Sequence, residues 1–293
     1  QATESLWAMC VEFLDWFFTD RDPGDVDRRL AVLQIRPEYW QAIKQSWDRT
    51  DPVEDLTLST RFDLAVTAAG QIKLLEINGE TPLLGAETVY QWNWYVDYMH
   101  NHQRGKFPLP SDASQFNEYW NLIAGQWRRI AAGYDLRQCG ISFLVDENLE
   151  EDLEMAMQLI QILADEVDPQ IYTQIVYLRG LKDERGAEIQ RGLGIDDSGY
   201  FVDHVNDRIP VLWKMYDWSD LQNDVAKDGG TQALAHRLET GEVKILEPLW
   251  KQVLSNKGAM AMMWEQFGNS DYSQYLLPTY LDTDNSPAST ELL

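Results

Sequence analysis

Four polar residues that could do chemistry stand in two neighbouring strand-like segments of the sequence. Arg61 and Asp63 are two positions apart in the first segment, and Glu76 and Asn78 are two positions apart in the second. Because side chains alternate along a strand, each pair points to one face. Two carboxylates and an amide carbonyl are hard oxygen ligands of the kind that Mg²⁺ prefers. A guanidinium beside them suits a phosphoryl or acyl-phosphate group on which negative charge develops.

The same pattern also fits a hairpin face that is simply solvated, since single acidic residues on strands are usually exposed. The apolar pair Leu74-Leu75 directly before the second pair favours a metal site, because polar groups beside a core need partners. We therefore predict Asp63, Glu76 and Asn78 as metal ligands and Arg61 as the catalytic residue beside them.

Two strands joined by a tight turn must position these residues. Residues 60–67 alternate like a strand, 68–71 are turn-forming and 72–78 form a second apolar strand. This pattern predicts a β-hairpin. A turn near Ala69-Gly70 would let the four side chains converge on one patch.

Apolar spacing predicts further helices and strands along the chain. The predicted helices cover 6–18, 37–48, 86–98, 114–132, 149–164 and 259–267, and the predicted strands cover 139–145, 170–178 and 209–218. Strand 139–145, helix 149–164 and strand 170–178 follow one another, which indicates an α/β unit. We therefore predict a mixed α/β fold.

The charge of the chain excludes some classes of partner. Among 293 residues, 24 are Lys or Arg and 48 are Asp or Glu, so the net charge is −24. Binding to nucleic acid or to an anionic membrane needs a basic face, and no apolar run approaches the length of a membrane span. We expect no nucleic-acid or membrane partner and a cytoplasmic location. The charge suits cationic partners such as metal ions or polyamines.

Arg61-x-Asp63 followed by Glu76-x-Asn78 resembles the metal signature of ATP-grasp ligases. Further segments are similar to the glutathionylspermidine synthase family, and together they extend from about residue 60 to 281. These segments are 60–65, 73–78, 81–87, 115–117, 213–218, 247–251, 254–267 and 276–280.

This resemblance implies an ATP-dependent amide ligase with ATP and Mg²⁺ as cofactors. In such a ligase ATP phosphorylates a carboxylate, and an amine then attacks the acyl phosphate. The family's substrates imply a glutathione-like peptide acid and a polyamine-like amine. The implied fold is ATP-grasp-like with a pre-ATP-grasp region.

The resemblance also assigns a nucleotide contact and an amine contact. Lys257 matches a lysine that contacts nucleotide phosphates, although a surface lysine at a helix start would look the same. Glu151 and Asp152 match an acidic pair near the amine substrate. They could equally stabilise a helix by lying at its N-terminus, where the helix dipole favours negative charge.

A third assignment concerns the acid substrate. The segment 81–87, which ends in Glu87, matches a substrate-binding segment of the family. The family pattern has a hydroxyl residue there, and this chain has Leu83 and Leu84. We expect Glu87 to bind substrate and the acid to differ from glutathione.

The resemblance divides the chain into three regions. Residues 1–132 would hold N-terminal helices and the metal-bearing hairpin, 133–230 an α/β substrate-binding region, and 231–293 the start of the nucleotide-binding region. The Gly-rich, Arg-containing phosphate loop of the family is missing, so we expect a partial chain whose C-terminal nucleotide clamp is absent.

Two other functions remain open on the sequence. The first is a catalytically inactive acidic binding module on the same scaffold. The second is a metal-dependent hydrolase, but His100 and His102 are the only closely spaced histidines and show no ligand spacing with carboxylates.

Overall fold

The computed structural model describes residues 2–50, 55–102 and 117–282. The helices are α1 (Ala2–Phe17), α2 (Asp25–Val32), α3 (Trp40–Asp48), α4 (Gly85–His102), α5 (Tyr119–Gly133), α6 (Leu136–Cys139), α7 (Glu150–Glu166), α8 (Trp218–Lys227), α9 (Thr231–Thr240), α10 (Lys251–Ser255) and α11 (Lys257–Phe267), with 3₁₀ turns at Pro37–Tyr39 and Asp271–Gln274. The strands are β1 (Arg61–Val66), β2 (Ile72–Asn78), β3 (Ile141–Val145), β4 (Thr173–Tyr177), β5 (Gly180–Lys182), β6 (Glu188–Arg191), β7 (Gly194–Ile195), β8 (Phe201–Val202), β9 (Val211–Lys214) and β10 (Lys244–Leu246).

The chain forms two compact units that are interleaved along the sequence. The first unit comprises Gln1–Thr81, Ile195–Phe201 and Tyr216–Leu293, and the second comprises Pro82–Gly194 and Val202–Met215. The three regions predicted from the sequence follow chain order instead, and that division stays a prediction.

The helix α1 contributes a buried apolar face to the first unit. Its apolar residues recur every three or four positions, so one face of the helix is buried. Leu6, Cys10, Phe13 and Phe17 on this face have no solvent exposure. The helix predicted over 6–18 is confirmed.

The hairpin of β1 and β2 belongs to the same unit. The strands pair antiparallel, and the pairing shifts by one residue between Asp63 and Leu64. Gly70 closes the turn with a φ of 79°, a left-handed conformation that glycine adopts without a steric cost. Its N–H donates to the carbonyl oxygen of Thr67 at 2.8 Å. The predicted hairpin and the position of its turn are confirmed.

A parallel arrangement of strands forms the core of the second unit. β3 pairs with β4 on one side and with β9 on the other, both parallel. All five residues of β3 are buried, as expected for a central strand with covered faces. Phe143 lies between Trp127 and Trp213, with ring centroids 6.2 and 5.5 Å away. The predicted strand, helix and strand are confirmed, and so is the α/β class.

Some elements differ from the predictions. The strand expected over 209–218 covers only Val211–Lys214, and Asp217 lies beyond its end, where its side chain caps the start of α8. The helices α2, α8 and α9 were not predicted. These helices are short and mix apolar with charged residues, so their sequences carry only a weak helical pattern. Short helices of this kind are stabilised mainly by tertiary packing.

Parts of the remaining predictions lie outside the described residues. The loop predicted at 106–112 and the tail after residue 282 are among these, as is the start of the helix predicted over 114–132. Within the described ranges, no helix combines the length and the apolar character needed to cross a bilayer.

Candidate functional site

The hairpin brings together the four polar residues singled out in its two strands. Arg61 pairs with Asn78 across the hairpin, and Asp63 pairs with Glu76. Residues that face each other in an antiparallel pair, and those two positions along, share one face of the sheet. The four side chains therefore form one polar face, and the convergence expected from the sequence is observed.

Arg61 forms a salt bridge with the carboxylate of Asp63 on the same strand. Its Nε donates to Oδ1 at 2.8 Å, and its Nη2 lies 3.5 Å from Oδ2. Both side chains are partly exposed. A planar guanidinium that meets both oxygens fixes the orientation of the carboxylate as well as balancing its charge.

The donor set fits Mg²⁺ through two carboxylates and one amide. No group of three or more His, Cys, Asp or Glu residues in the described part of the chain could hold a metal ion. Beside the two carboxylates, the hairpin offers one further oxygen donor of another type, the side-chain amide of Asn78. Its Nδ2 is buried and has no hydrogen-bond partner among the described residues. A half-turn about Cβ–Cγ would exchange the amide nitrogen and oxygen, so the oxygen would then occupy the unpaired position.

Lys257 lies beside this polar face. It is the first residue of α11, and the helix is capped by Asn256, whose side chain accepts a hydrogen bond from the N–H of Gly258 at 2.9 Å. The Lys257 Nζ is 3.8 Å from Oε2 of Glu76, and its side chain is 82% exposed. The ammonium group is therefore close to the Glu76 carboxylate and still accessible to an anionic ligand.

A buried ion pair holds the chain just before β1, and sequence reasoning assigned no role to it. Glu247 accepts hydrogen bonds from the backbone N–H groups of Leu58 and Ser59. Its Oε2 lies 2.6 Å from the Lys251 Nζ, which also donates to the carbonyl oxygen of Ser59 at 2.6 Å and to Thr60 Oγ1 at 2.8 Å.

Burial lowers the pKa of the Lys251 ammonium, and the charge of Glu247 opposes this shift. The sequence did contain a signal, because the two residues are four positions apart. That spacing alone indicates only a surface pair on a helix.

Ser255 holds the chain just after β2 and was also missed. Its Oγ accepts hydrogen bonds from the backbone N–H groups of Gly79 and Glu80, each at 3.0 Å. The carboxylate of Glu80 in turn accepts from the N–H of Trp218 at 2.7 Å.

The three predicted substrate residues lie in the second unit, at the starts of two helices. Glu87 is half-buried in the first turn of α4. Glu151 and Asp152 are in the first turn of α7, where Glu151 is exposed and Asp152 is only 5% exposed. Oδ2 of Asp152 accepts from the N–H of Asp146 at 3.2 Å, and burial raises the pKa of its carboxyl. The two acids thus have different environments.

Leu83 and Leu84, which stand where the family pattern has a hydroxyl residue, lie directly before α4. Leu84 is half exposed and adopts a φ of 75°, and Leu83 is half-buried. Neither offers a hydrogen bond through its side chain. The side chains of His100 and His102 are outside the described part of the structure.

The family described as glutathionylspermidine synthase pre-ATP-grasp matches residues 1–292 of the chain. Among curated proteins, the chain is 26% identical over 288 residues to a protein named acid–amine ligase from Haemophilus influenzae, covering 95% of this chain and 59% of that protein. It is 22% identical over 294 residues to the bifunctional glutathionylspermidine synthetase/amidase of Escherichia coli K12, covering 95% of this chain and 41% of that protein.

A solved structure also resembles the chain. The glutathione synthetase-like effector from Globodera pallida, in its apo form, matches with a TM-score of 0.47 and 15% identity, over 83% of this chain and 56% of that one. The chain spans 59% and 41% of the lengths of the two curated relatives. Because the family match covers almost every residue, the resemblance seen in the sequence is confirmed, and the chain belongs to the glutathionylspermidine synthase pre-ATP-grasp family.

Proposed function

We propose that this chain carries the metal site and one phosphate contact of an ATP-dependent ligase that joins a carboxylate to an amine. The observation that carries the proposal is the direct pairing of Asp63 with Glu76, with the Lys257 ammonium 3.8 Å from Glu76. Two carboxylates beside an accessible cation suit a metal-bound polyphosphate, because the metal and the lysine can share its charge.

The proposed reaction has two steps. An oxygen of the acid substrate attacks the γ-phosphorus of ATP, the bond from that phosphorus to the bridging oxygen breaks, and ADP leaves. The amine nitrogen then attacks the carbonyl carbon of the acyl phosphate. Phosphate leaves with the electron pair of the broken C–O bond, the nitrogen loses a proton, and an amide remains.

Mg²⁺ held by Asp63, Glu76 and Asn78 would supply Lewis-acid stabilisation of the phosphate oxygens. Arg61 positions the Asp63 carboxylate and, as the proposed catalytic residue, stabilises charge on the phosphoryl group during transfer. Lys257 contacts a phosphate of the nucleotide. Each of these residues belongs to the first unit of the chain.

The substrates we propose are a glutathione-like peptide acid and a polyamine-like amine. Glu151 offers an exposed carboxylate to a cationic amine, and Asp152 adds its charge from a buried position. Glu87 contributes to binding of substrate at the start of α4. The net charge of −24 favours approach of a polycation. We propose the cytoplasm as the compartment, because ATP is available there.

The test is ADP release by the complete product of the gene, measured with Mg²⁺ and a panel of amines and peptide acids. The proposal expects ADP release that needs both substrates and the metal. Mg²⁺-dependent ATP binding without any turnover would favour the inactive binding module instead.

A further inference from the structure

We propose that Glu247, Lys251 and Ser255 form a hairpin clamp that positions the metal ligands relative to Lys257. The inference rests on the proposed function of the hairpin. The three residues touch no proposed ligand themselves. They act through the backbone on either side of the polar face, and we therefore call them positioning residues.

The first half of the hairpin clamp fixes the chain that leads into β1. Glu247 accepts from the N–H groups of Leu58 and Ser59 at 3.1 and 2.9 Å. Lys251 donates to the Ser59 carbonyl and to the Thr60 hydroxyl. The next residue in the chain is the first of β1, so its direction is set by two buried charges.

The second half fixes the chain that leaves β2. Ser255 Oγ accepts from the N–H groups of Gly79 and Glu80, immediately after Asn78. The approach is close, because a Cβ at Gly79 would lie 3.2 Å from Ser255 Oγ and from the Lys251 carbonyl oxygen. The end of β2 is thus seated directly on α10.

The short helix α10 connects both halves of the hairpin clamp to Lys257, the proposed nucleotide contact. Lys251 and Ser255 are one turn apart on α10, and α11 starts with Lys257 two residues later. Residues four apart lie on the same side of a helix. The two ends of the hairpin and the lysine are therefore tied to one continuous piece of backbone.

Stability alone is a weak reason to bury such a pair. Side chains of Lys251 and Glu247 are 0% and 2% exposed, and replacing a buried ion pair by apolar residues is often neutral or stabilising. Apolar side chains could not hydrogen-bond the backbone at residues 58–59. The charged groups are therefore suited to fixing where that backbone lies.

The experiment compares variants in which only the hydrogen bonds to the hairpin change. Ser255→Ala removes the acceptor at the end of β2, and Thr60→Val removes one contact at the start of β1. Ser255→Thr restores the hydroxyl. The matched control is Gln252→Leu, because Gln252 is also on α10 but bonds Gln222 rather than the hairpin.

Two measurements are made on each variant. Double electron–electron resonance between nitroxides at Val66→Cys and Glu265→Cys, in a Cys139→Ser background, reports how tightly the hairpin is held against α11. Both labelled positions are exposed, and Cys10 is buried. Mn²⁺ affinity, measured by the free-ion EPR signal, reports the metal site independently of turnover.

We expect Ser255→Ala to widen the distance distribution and to weaken Mn²⁺ binding about tenfold, the lower end of what loss of groups that orient metal ligands costs. Thr60→Val should act in the same direction, while Ser255→Thr and Gln252→Leu should match the parent. Unchanged widths in both Ser255→Ala and Thr60→Val would overturn the proposal. Widened distributions with unchanged Mn²⁺ affinity would overturn it as well.

A failure of the proposed function gives a different result. In that case the parent protein binds no Mn²⁺, while the distance distribution of Ser255→Ala still reports whether the clamp holds the hairpin.

Discussion

Asp63 and Glu76 stand directly opposite each other across the hairpin, and the pairing register shifts at the next residue of β1. The shift leaves Leu75 as an extra residue in β2, where it is exposed. A bulge of this kind bends the strand and re-aims neighbouring side chains. The two carboxylates are thus set side by side at the point where regular pairing is interrupted.

Removing the charge of Lys257 should change metal and nucleotide binding in opposite directions. Without nucleotide, Lys257→Ala relieves competition for Glu76, so Mn²⁺ affinity should rise about two- to fivefold, the size of an exposed ion pair. With nucleotide, loss of the charged contact should weaken ATP binding about tenfold. Equilibrium titrations with Mn²⁺ and with Mg²⁺–ATP measure both values. A fall in both affinities would contradict the proposed position of the lysine.

Replacing Arg61 with lysine should impair catalysis. Arg61 meets both oxygens of Asp63, and a lysine ammonium cannot reproduce that planar fork. If the proposed ligase activity is present, we expect Arg61→Lys to lower kcat for ADP release at least tenfold while leaving the thermal midpoint almost unchanged. Arg185→Lys, on the exposed turn between β5 and β6, is the control. Near-normal kcat in Arg61→Lys would remove the catalytic assignment.

The buried pair should show strong energetic coupling. Breaking such a pair at one residue leaves an uncompensated charge and costs about 3–5 kcal/mol. Glu247→Gln and Lys251→Met should therefore each destabilise the fold, and the double variant should lose less than their sum by about 2 kcal/mol. Urea unfolding of the four proteins gives this coupling energy.

The exposed Lys227–Asp224 pair provides the comparison, since its side chains are 73% and 37% exposed. Its coupling should stay below about 1 kcal/mol. Additive effects at Glu247 and Lys251 would show that the two side chains do not act as a pair.

Cys10 should make stability fall at alkaline pH. Burial raises the pKa of its thiol to about 12, from 9.0 for an ordinary cysteine, and the charge of Lys251 only partly opposes the rise. Between these values the unfolded chain loses the thiol proton and the folded chain keeps it, so the free energy of unfolding decreases as pH rises.

From about pH 8 to pH 10 this loss amounts to about 1.4 kcal/mol. Cys10→Ala lacks the titrating group, so its stability should fall by that much less over the same range. Urea midpoints of both proteins at the two pH values test this. Parallel changes in the two proteins would mean that the thiol titrates normally in the fold.

The hairpin and its polar face could be predicted because they depend on local pattern. Alternation fixes which side chains of β1 share a face, and Gly70 marks the turn. The order of the α/β elements follows from the same kind of periodicity. The bulge after Asp63 could not be predicted, because both registers satisfy the alternation of β1.

The surroundings of the hairpin depend on contacts between distant parts of the chain. Nothing near Glu76 in the sequence indicates that Lys257 lies beside it, and a Glu–Lys spacing of four residues does not reveal burial, since lysine is rarely buried. Likewise, the first-turn acids Glu151 and Asp152 look equivalent in the sequence. The fold distinguishes them: Glu151 is exposed, whereas Asp152 is buried and accepts a hydrogen bond from the N–H of Asp146.

The central claim is that the polar face of the hairpin binds a divalent metal, and Mn²⁺ titration of Glu76→Gln tests it most directly. Glu265→Gln, an equal loss of charge at an exposed position of α11, is the matched control. We predict that Glu76→Gln weakens Mn²⁺ binding at least tenfold, which is about 1.4 kcal/mol, and that the control binds like the parent. Equal Mn²⁺ affinity in the parent and Glu76→Gln would contradict the account.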